Sequence, residues 1–191
     1  MNLQTVRLDD AAQQPWKNGG GSTRELLVWP PQSGAGWVMR ISVAEIERDG
    51  PFSAFEGIER WFCVLQGAGV VLGFAQRELI CKADDQPLQF DGALAPSCRL
   101  VDGPTQDLNV MVKRQLGKGD VRTAALPWTS AATWRGLYTA CDCMLQRNGH
   151  TQALAANTLA WTQGGAGERW SLVDVGKAAR AWWIGFAELA Q

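Results

Sequence analysis

Short stretches in which apolar and polar residues alternate dominate this chain. The clearest covers residues 37–46, where Met39 and Ile41 fall on one face and Arg40 and Ser42 on the other. Alternation of this kind predicts a half-buried β-strand. Further strand-like runs, most of them separated by Gly, Pro, Asn or Asp, occupy residues 24–29, 61–66, 69–74, 78–81, 108–112, 134–145, 158–162, 170–173 and 181–186. Many short strands at this spacing are typical of a β-sandwich or β-barrel.

Helical periodicity is scarce. Residues 9–14 could form one turn that ends at Pro15, and residues 176–180 are a second, weaker candidate. The sequence therefore predicts an all-β protein.

The connections between strands suggest how the chain is divided. Residues 115–127 are less apolar and rich in Gly and charge, so we place a join there. This predicts two halves, residues 1–115 and 116–191, without a visible sequence repeat between them. Residues 49–53, Asp-Gly-Pro-Phe-Ser, have the composition of a turn, and we interpret them as one.

Composition and charge exclude several classes of protein. The hydrophobic fraction of 46% is enough for a core, and the net charge of −1 leaves no basic stripe for nucleic acid. No apolar run is long enough to span a membrane, and the N-terminus lacks the pattern of a secretory signal. The five cysteines, an odd number, favour free thiols. We therefore expect a cytoplasmic protein without nucleic-acid or membrane partners.

A glycine-rich segment at residues 15–25 is the most distinctive motif. Gly19, Gly20 and Gly21 permit close backbone approach, and their successive N–H groups could form an anion-binding nest. Lys17 and Asn18 precede them and could shape the mouth of a site. The spacing does not match a phosphate-binding P-loop. A glycine-rich connection between two strands explains the segment equally well.

Two predicted strands carry polar residues on one face. Arg40 and Ser42 share a face of the first, and Asp107 and Asn109 share a face of the second. A half-exposed sheet has this pattern. If the polar faces instead point into a barrel, they form a cavity in which buried charges need partners. Together with Arg60, these residues would then make a site for a small anion.

Metal chemistry has little support in the sequence. The only histidine, His150, follows Asn148-Gly149, which is a hairpin-turn signal, so we expect an exposed turn residue. Cys141 and Cys143 share a strand face, but a lone C-x-C is a weak zinc signal. We predict no metal, no cofactor and structural thiols.

Several ordered blocks resemble the HutD/Ves family of bicupin proteins. They cover residues 15–25, 37–42, 49–55, Arg60 with 65–69, 90–92, and 107–111 with Arg114. The resemblance implies two cupin-like β-barrels or sandwiches in one chain. Cupin enzymes usually bind a divalent metal through two or three His and a Glu, and this chain has one His. Cupin-like sheets often dimerise through strand edges, which leaves a homodimer open.

The resemblance also implies a function. HutD-type members are thought to restrain or fine-tune bacterial histidine utilisation by binding a pathway metabolite such as urocanate or N-formylglutamate, and no catalytic reaction is established for them. The Ves branch has a less clear role linked to cold or stress, and the sequence does not separate the two.

We accordingly predict a metal-free binder of a small carboxylate in the N-terminal half. Arg40 and Arg60 would bind the anion, because an Arg side chain suits a carboxylate. Asp107 and Asn109 would orient them or recognise a ligand amide or imidazole. The remaining site residues are Lys17, Asn18 and Ser42, with loop donors Gly19, Gly20 and Gly21, while Arg24 and Glu25 could form a structural ion pair.

Two alternatives remain. The protein could be a metal-free isomerase or hydrolase, with Glu25 or Asp107 as a general base of raised pKa. It could instead be an interaction protein that titrates a regulator or an enzyme through an exposed apolar patch. Turnover by the purified protein would identify the enzyme. Of the three hypotheses, we favour the small-molecule binding protein, and we do not predict an enzyme.

Overall fold

The computed structural model describes residues 2–30, 36–164, 167–173 and 180–189. The chain forms two compact units. One, the N-terminal unit, is Ala11–Leu116, and the other, the C-terminal unit, is Gly117–Gln191 together with Met1–Asp10. The sequence division at 115/116 assigned residues 1–10 to the first half. The structure differs there, because β1 (Gln4–Arg7) pairs antiparallel with β17 (Thr158–Gln163).

The N-terminal unit consists of two antiparallel sheets. The larger has the strand order β2 (Gln13–Pro15), β3 (Gly21–Trp29), β4 (Met39–Ile46), β11 (Thr105–Lys113), β6 (Ile58–Gln66) and β9 (Leu88–Asp91). The smaller has the order β5 (Gly50–Pro51), β10 (Ser97–Leu100), β7 (Val70–Phe74) and β8 (Arg77–Cys81). An apolar core cluster draws on both sheets: Ile46, Phe62, Val64, Val70, Leu72, Cys81, Phe90 and Cys98.

The C-terminal unit repeats this two-sheet plan. Its larger sheet has the order β1, β17, β14 (Trp134–Thr139), β19 (Ala181–Glu188) and β12 (Gly117–Thr123). Its smaller sheet has the order β13 (Trp128–Thr129), β18 (Arg169–Val173), β15 (Cys143–Arg147) and β16 (His150–Leu154). Three tryptophans in its core contact one another, with ring centroids 5.7–6.4 Å apart: Trp128, Trp170 and Trp183.

The all-β prediction is confirmed, with corrections at two places. Residues 9–14 do not form an α-helical turn, because a short 3-10 turn at Leu8–Asp10 is followed directly by β2. The single run predicted over residues 134–145 is two strands, β14 and β15, separated by a short connection. The helix predicted over residues 176–180 falls almost entirely outside the described residues.

Candidate functional site

A cavity of about 480 Å³ lies in the N-terminal unit. Its lining combines cationic, acidic, amide, hydroxyl and aromatic groups: Gln14, Pro15, Trp16, Lys17, Asn18, Thr23, Arg40, Ser42, Ala44, Pro51, Phe52, Ser53, Phe55, Arg60, Asp107, Asn109 and Met111. All seven side chains that the sequence analysis proposed as ligand contacts are in this list, whereas Gly19, Gly20 and Gly21 are not.

Strand register brings the polar residues together. In β11, Asp107, Asn109 and Met111 alternate with apolar residues, so their side chains share one face. Met111 lies opposite Arg40 of β4 on one side and opposite Arg60 of β6 on the other. Three adjacent strands therefore present their polar positions to the same cavity, which favours the barrel interpretation of these faces over a half-exposed sheet.

Arg60 is the buried cation of the cavity, with 4% of its surface exposed. Its Nη2 donates to Oδ1 of Asn109 over 2.7 Å. Three phenylalanine rings surround the guanidinium carbon, with centroids 5.0 Å away for Phe52, 5.1 Å for Phe90 and 5.6 Å for Phe55. The Nε and Nη1 atoms have no hydrogen-bond partner among the described residues. Because buried donors are normally satisfied, these two are available to an acceptor that enters the cavity.

Asp107 is completely buried beside Arg60. Its Oδ2 accepts a hydrogen bond from Nδ2 of Asn109, whereas its Oδ1 has no partner among the described residues. Burial raises the pKa of Asp107 to about 8, against the opposing effects of the Arg60 charge and the Asn109 hydrogen bond. Burial also lowers the pKa of Arg60 to about 10, although Asp107 acts in the opposite direction. The site therefore combines a buried cation with a carboxyl group whose burial favours the protonated form.

Arg40 pairs with Glu25, the residue that the sequence suggested as a partner for Arg24. Its Nε donates to Oε2 of Glu25 over 2.6 Å, and both side chains are partly exposed. The expected ion pair between Arg24 and Glu25 is wrong: Arg24 donates instead to the carbonyl of Ala11 and to Gln13. A β-bulge between Glu25 and Leu27 changes the register of β3 at this point.

The glycine-rich segment forms the tip of the β2–β3 hairpin. The N–H of Gly19 donates to the carbonyl of Trp16, and the N–H of Gly20 donates to Oδ1 of Asn18. These two groups are therefore already engaged, which argues against the proposed anion nest. A Cβ added at Gly21 would lie 2.1 Å from the carbonyl oxygen of Glu45, so this glycine permits the close approach of β3 and β4.

The aromatic side of the cavity was not predicted from the sequence. Residues 49–53 were interpreted only as a turn, yet Pro51, Phe52 and Ser53 line the cavity, and so does Phe55. The predicted turn is wrong at Gly50–Pro51, which form the short strand β5 and pair with β10. No local signal showed that this segment lines a cavity. The position of Phe52 within 5.0 Å of the Arg60 guanidinium is a tertiary contact.

The residues considered for metal binding lie elsewhere. His150 is exposed and follows a turn in which Asn148 and Gly149 both have positive φ, so the predicted hairpin turn is confirmed. Cys143 is buried and Cys141 is partly buried, and both are free thiols. In the described part of the chain, no group of three or more His, Cys, Asp or Glu is placed to hold a metal ion. None of the helical segments described is long and apolar enough to cross a membrane.

The fold defines the class of protein. Two successive units, each built from two antiparallel sheets, correspond to the bicupin architecture. A variant of oxalate decarboxylase from Bacillus subtilis shares this fold, with a TM-score of 0.60 over 99% of this chain and 79% of that chain, at 10% identity.

The chain belongs to the HutD family, whose sequence model matches residues 8–180. The solved HutD structure from Pseudomonas fluorescens is similar over 99% of this chain and 100% of that chain, with a TM-score of 0.85 and 27% identity. A Pseudomonas putida protein described as lying in the hutC 3′ region is 36% identical over 119 residues, which is 59% of this chain. The aligned part spans 60% of that relative's length. Protein Ves from Cronobacter sakazakii is 30% identical over 154 residues, 79% of this chain and 82% of that protein.

Proposed function

We propose that this protein binds a small carboxylate metabolite in the cavity of the N-terminal unit, without a metal, and thereby modulates histidine utilisation. The ligand would be a pathway intermediate such as urocanate or N-formylglutamate. One observation carries the proposal: a buried arginine at the cavity wall keeps two donor atoms without a partner among the described residues.

The chemistry of the wall suits a carboxylate. The Nε and Nη1 atoms of Arg60 can donate charge-assisted hydrogen bonds, which are about twice as strong as neutral ones. The three phenylalanine rings around Arg60 reduce its contact with water, which strengthens its attraction for an anion. Lys17 and Arg40 add positive charge elsewhere on the wall. A cavity of about 480 Å³ is in the usual range for small-molecule sites.

The link to histidine utilisation rests on the family to which the chain belongs and on a related protein. The chain belongs to the HutD family, and one relative is described by its position next to hutC. These relationships suggest the pathway, and the cavity suggests the chemical class within it. The choice between urocanate and N-formylglutamate is left to the binding measurement.

A thermal-shift screen tests the proposal directly. The panel contains histidine, urocanate, N-formylglutamate, glutamate, formate and unrelated carboxylates. A ligand at about 100 times its Kd adds about 2.7 kcal/mol to the free energy of unfolding. Each kcal/mol raises Tm by about 2–4 °C for a chain of this length. We expect a selective rise with one pathway intermediate, and the same rise in the presence of a chelator.

Two arginine variants locate the site. Arg60→Met should weaken ligand binding by about 2–5 kcal/mol, because it removes a buried anion partner. Arg40→Ala should cost less, since Arg40 is partly exposed and already paired with Glu25. If Arg60→Met binds as tightly as wild type, the ligand is not in this cavity. If no panel compound raises Tm, the alternative of a protein that titrates a regulator or an enzyme becomes the better one.

A second candidate function has one supporting observation. Asp107 is a buried carboxyl group with a raised pKa in a cavity, which is a frequent feature of catalytic acids and bases. A metal-free isomerase or hydrolase would use it to transfer a proton. Proton NMR of urocanate or N-formylglutamate incubated with the protein would detect turnover, and an unchanged spectrum would favour binding alone.

A further inference from the structure

Arg60 and Asp107 do not form a direct ion pair in the cavity. Arg60 donates to the oxygen of the Asn109 amide, and the nitrogen of the same amide donates to Asp107. The amide thus lies between the two groups, and none of the ion pairs found among the described residues joins them. Each of the two groups therefore keeps hydrogen-bonding capacity for something else.

The amide also determines which oxygen of Asp107 can carry a proton. Since the oxygen of Asn109 is committed to Arg60, its N–H groups face Asp107, and Oδ2 must act as an acceptor. A proton on Asp107 therefore resides on Oδ1, the atom that has no partner among the described residues. In the protonated state, Oδ1 becomes a hydrogen-bond donor in the same cavity wall as the free donors of Arg60.

We propose that this cavity takes up a carboxylate together with one proton, with neutral Asp107 donating its O–H to the ligand carboxylate while Arg60 supplies charge-assisted hydrogen bonds. Above the pKa of Asp107 the proton comes from solvent and returns to it when the ligand leaves, whereas below that pKa Asp107 already carries the proton. No covalent bond in the ligand breaks. The inference rests on the proposed function and concerns the protonation state of that site.

Charge balance is the physical reason. An ionised Asp107 and a bound carboxylate would bring two negative charges close together in a buried site that holds one buried cation. Carboxyl groups in this situation share a proton, because both cannot ionise at low cost. With one added proton, Asp107 is neutral, and the negative charge of the ligand carboxylate is balanced by the positive charge of Arg60.

The buried groups Arg60, Cys63 and Cys98 around Asp107 keep their charge states between pH 7 and pH 9. Burial lowers the pKa of Arg60 only to about 10, so it stays cationic. Burial raises the pKa of Cys63 well above its usual value and that of Cys98 to about 12, so both thiols stay neutral. Arg40 of β4 and Lys17 of the β2–β3 hairpin also line the cavity, and Glu25 of β3 pairs with Arg40. The other charged residues of β4 and β6 are Glu45, which is exposed, and Glu59, which accepts a hydrogen bond from Gln89. Asp107 has a pKa of about 8 and is thus the group expected to titrate here.

Calorimetric titration with N-formylglutamate, urocanate and formate provides the test. Each is measured at pH 7 and pH 9, in buffers with different enthalpies of ionisation, so that the number of protons taken up is obtained. We expect uptake near zero at pH 7 and near one at pH 9, with affinity about tenfold weaker at pH 9. Wild-type protein alone suffices for this measurement.

An Asp107→Asn variant separates the proton effect from other causes. The Asn109 N–H groups would orient the oxygen of the new amide toward themselves, which leaves its NH₂ facing the cavity as a permanent donor. We expect the ratio of affinities between pH 7 and pH 9 to fall to about one, and proton uptake at pH 9 to fall to near zero. An Asp102→Asn variant is the matched control, since Asp102 is exposed and does not line the cavity, and it should keep both effects.

The outcomes distinguish the two proposals. Binding without proton uptake at pH 9, or proton release at pH 7, overturns this inference and leaves the carboxylate site in place. Release would mean that Asp107 ionises and accepts an N–H of the ligand. If wild type binds the ligand with proton uptake and Arg60→Met does not bind it, the carboxylate site and the proton coupling are both supported. No binding of any of the three compounds at either pH overturns the proposed function, and this inference with it.

Discussion

The two units share a two-sheet plan but fill it differently. In the N-terminal unit, Arg60 and Asp107 lie on the wall of a cavity of about 480 Å³. In the C-terminal unit, Trp128, Trp170 and Trp183 are buried and pack on one another. Bulky indoles pack the core of one unit, whereas charged, polar and aromatic side chains line a cavity in the other.

The buried arginines of the two units show the same contrast. Arg135 in the C-terminal unit is fully buried, and its two Nη atoms bond the carbonyls of Gly164 and Glu168 and the Glu168 carboxylate. Arg60 has only the Asn109 oxygen. An arginine with a structural role is surrounded by acceptors from its own chain. The Nε of Arg135 also lacks a partner among the described residues, but both of its Nη atoms are bonded. Arg60 keeps both Nε and Nη1 for an external acceptor, and it lies on the wall of the cavity.

The largest expected effect on stability comes from removing a tryptophan from the core of the C-terminal unit. Trp170→Ala should destabilise the C-terminal unit by about 3–5 kcal/mol, because it leaves a cavity among packed indoles. Urea unfolding monitored by fluorescence measures the loss, while the ligand-induced Tm shift of the N-terminal unit reports on the other site. Leu126→Ala, at a side chain that is 76% exposed, is the control and should change stability by less than about 0.5 kcal/mol. A loss below about 1 kcal/mol for Trp170→Ala would mean that the indoles are not the main support of this unit.

The buried acid of the N-terminal unit should reduce stability at high pH. The folded pKa of Asp107, about 8, lies above the unfolded value, so its contribution is complete below about pH 4 and is lost as pH rises to about 8. Wild type should therefore lose roughly 3 kcal/mol relative to Asp107→Asn between pH 5 and pH 8. Urea unfolding of both proteins across this range gives the difference. A difference that is constant with pH would show that Asp107 is ionised in the folded protein throughout.

The glycine hairpin can be tested by a matched pair. Gly21→Ala should cost about 1–3 kcal/mol, because the new Cβ would meet the backbone of Glu45. Gly20→Ala should be mild, since the nearest atom to its Cβ is the Asn18 side chain at 3.3 Å. Thermal unfolding compares the two. Equal stability, combined with loss of ligand binding in both, would restore the anion-nest interpretation.

The smallest expected effect is at the only histidine. His150→Ala should change stability by less than about 0.5 kcal/mol and should leave ligand binding unaltered, since His150 is exposed in the C-terminal unit. Thermal shift with and without ligand measures both quantities. A marked loss of ligand binding would place the binding site in the C-terminal unit instead of the cavity of the N-terminal unit.

Sequence alone predicted a large part of the N-terminal unit. Alternation along 37–46 and 107–111 placed Arg40, Ser42, Asp107 and Asn109 on shared strand faces, and the structure keeps those faces. The ordered family blocks indicated the bicupin fold, and a single histidine argued against the usual cupin metal site. The strand faces could be predicted because side-chain direction in a strand is a local property that follows from the backbone repeat of two residues.

Only the tertiary structure decided what those faces contact. It placed Phe52 over Arg60 and paired Arg40 with Glu25 instead of leaving Glu25 to Arg24. It also joined β1, near the start of the chain, to the distant strand β17. Each of these contacts depends on strand order and register between distant segments, which alternation within one segment does not encode. The raised pKa of Asp107 has the same origin, since it comes from enclosure by neighbouring strands rather than from its own position in β11.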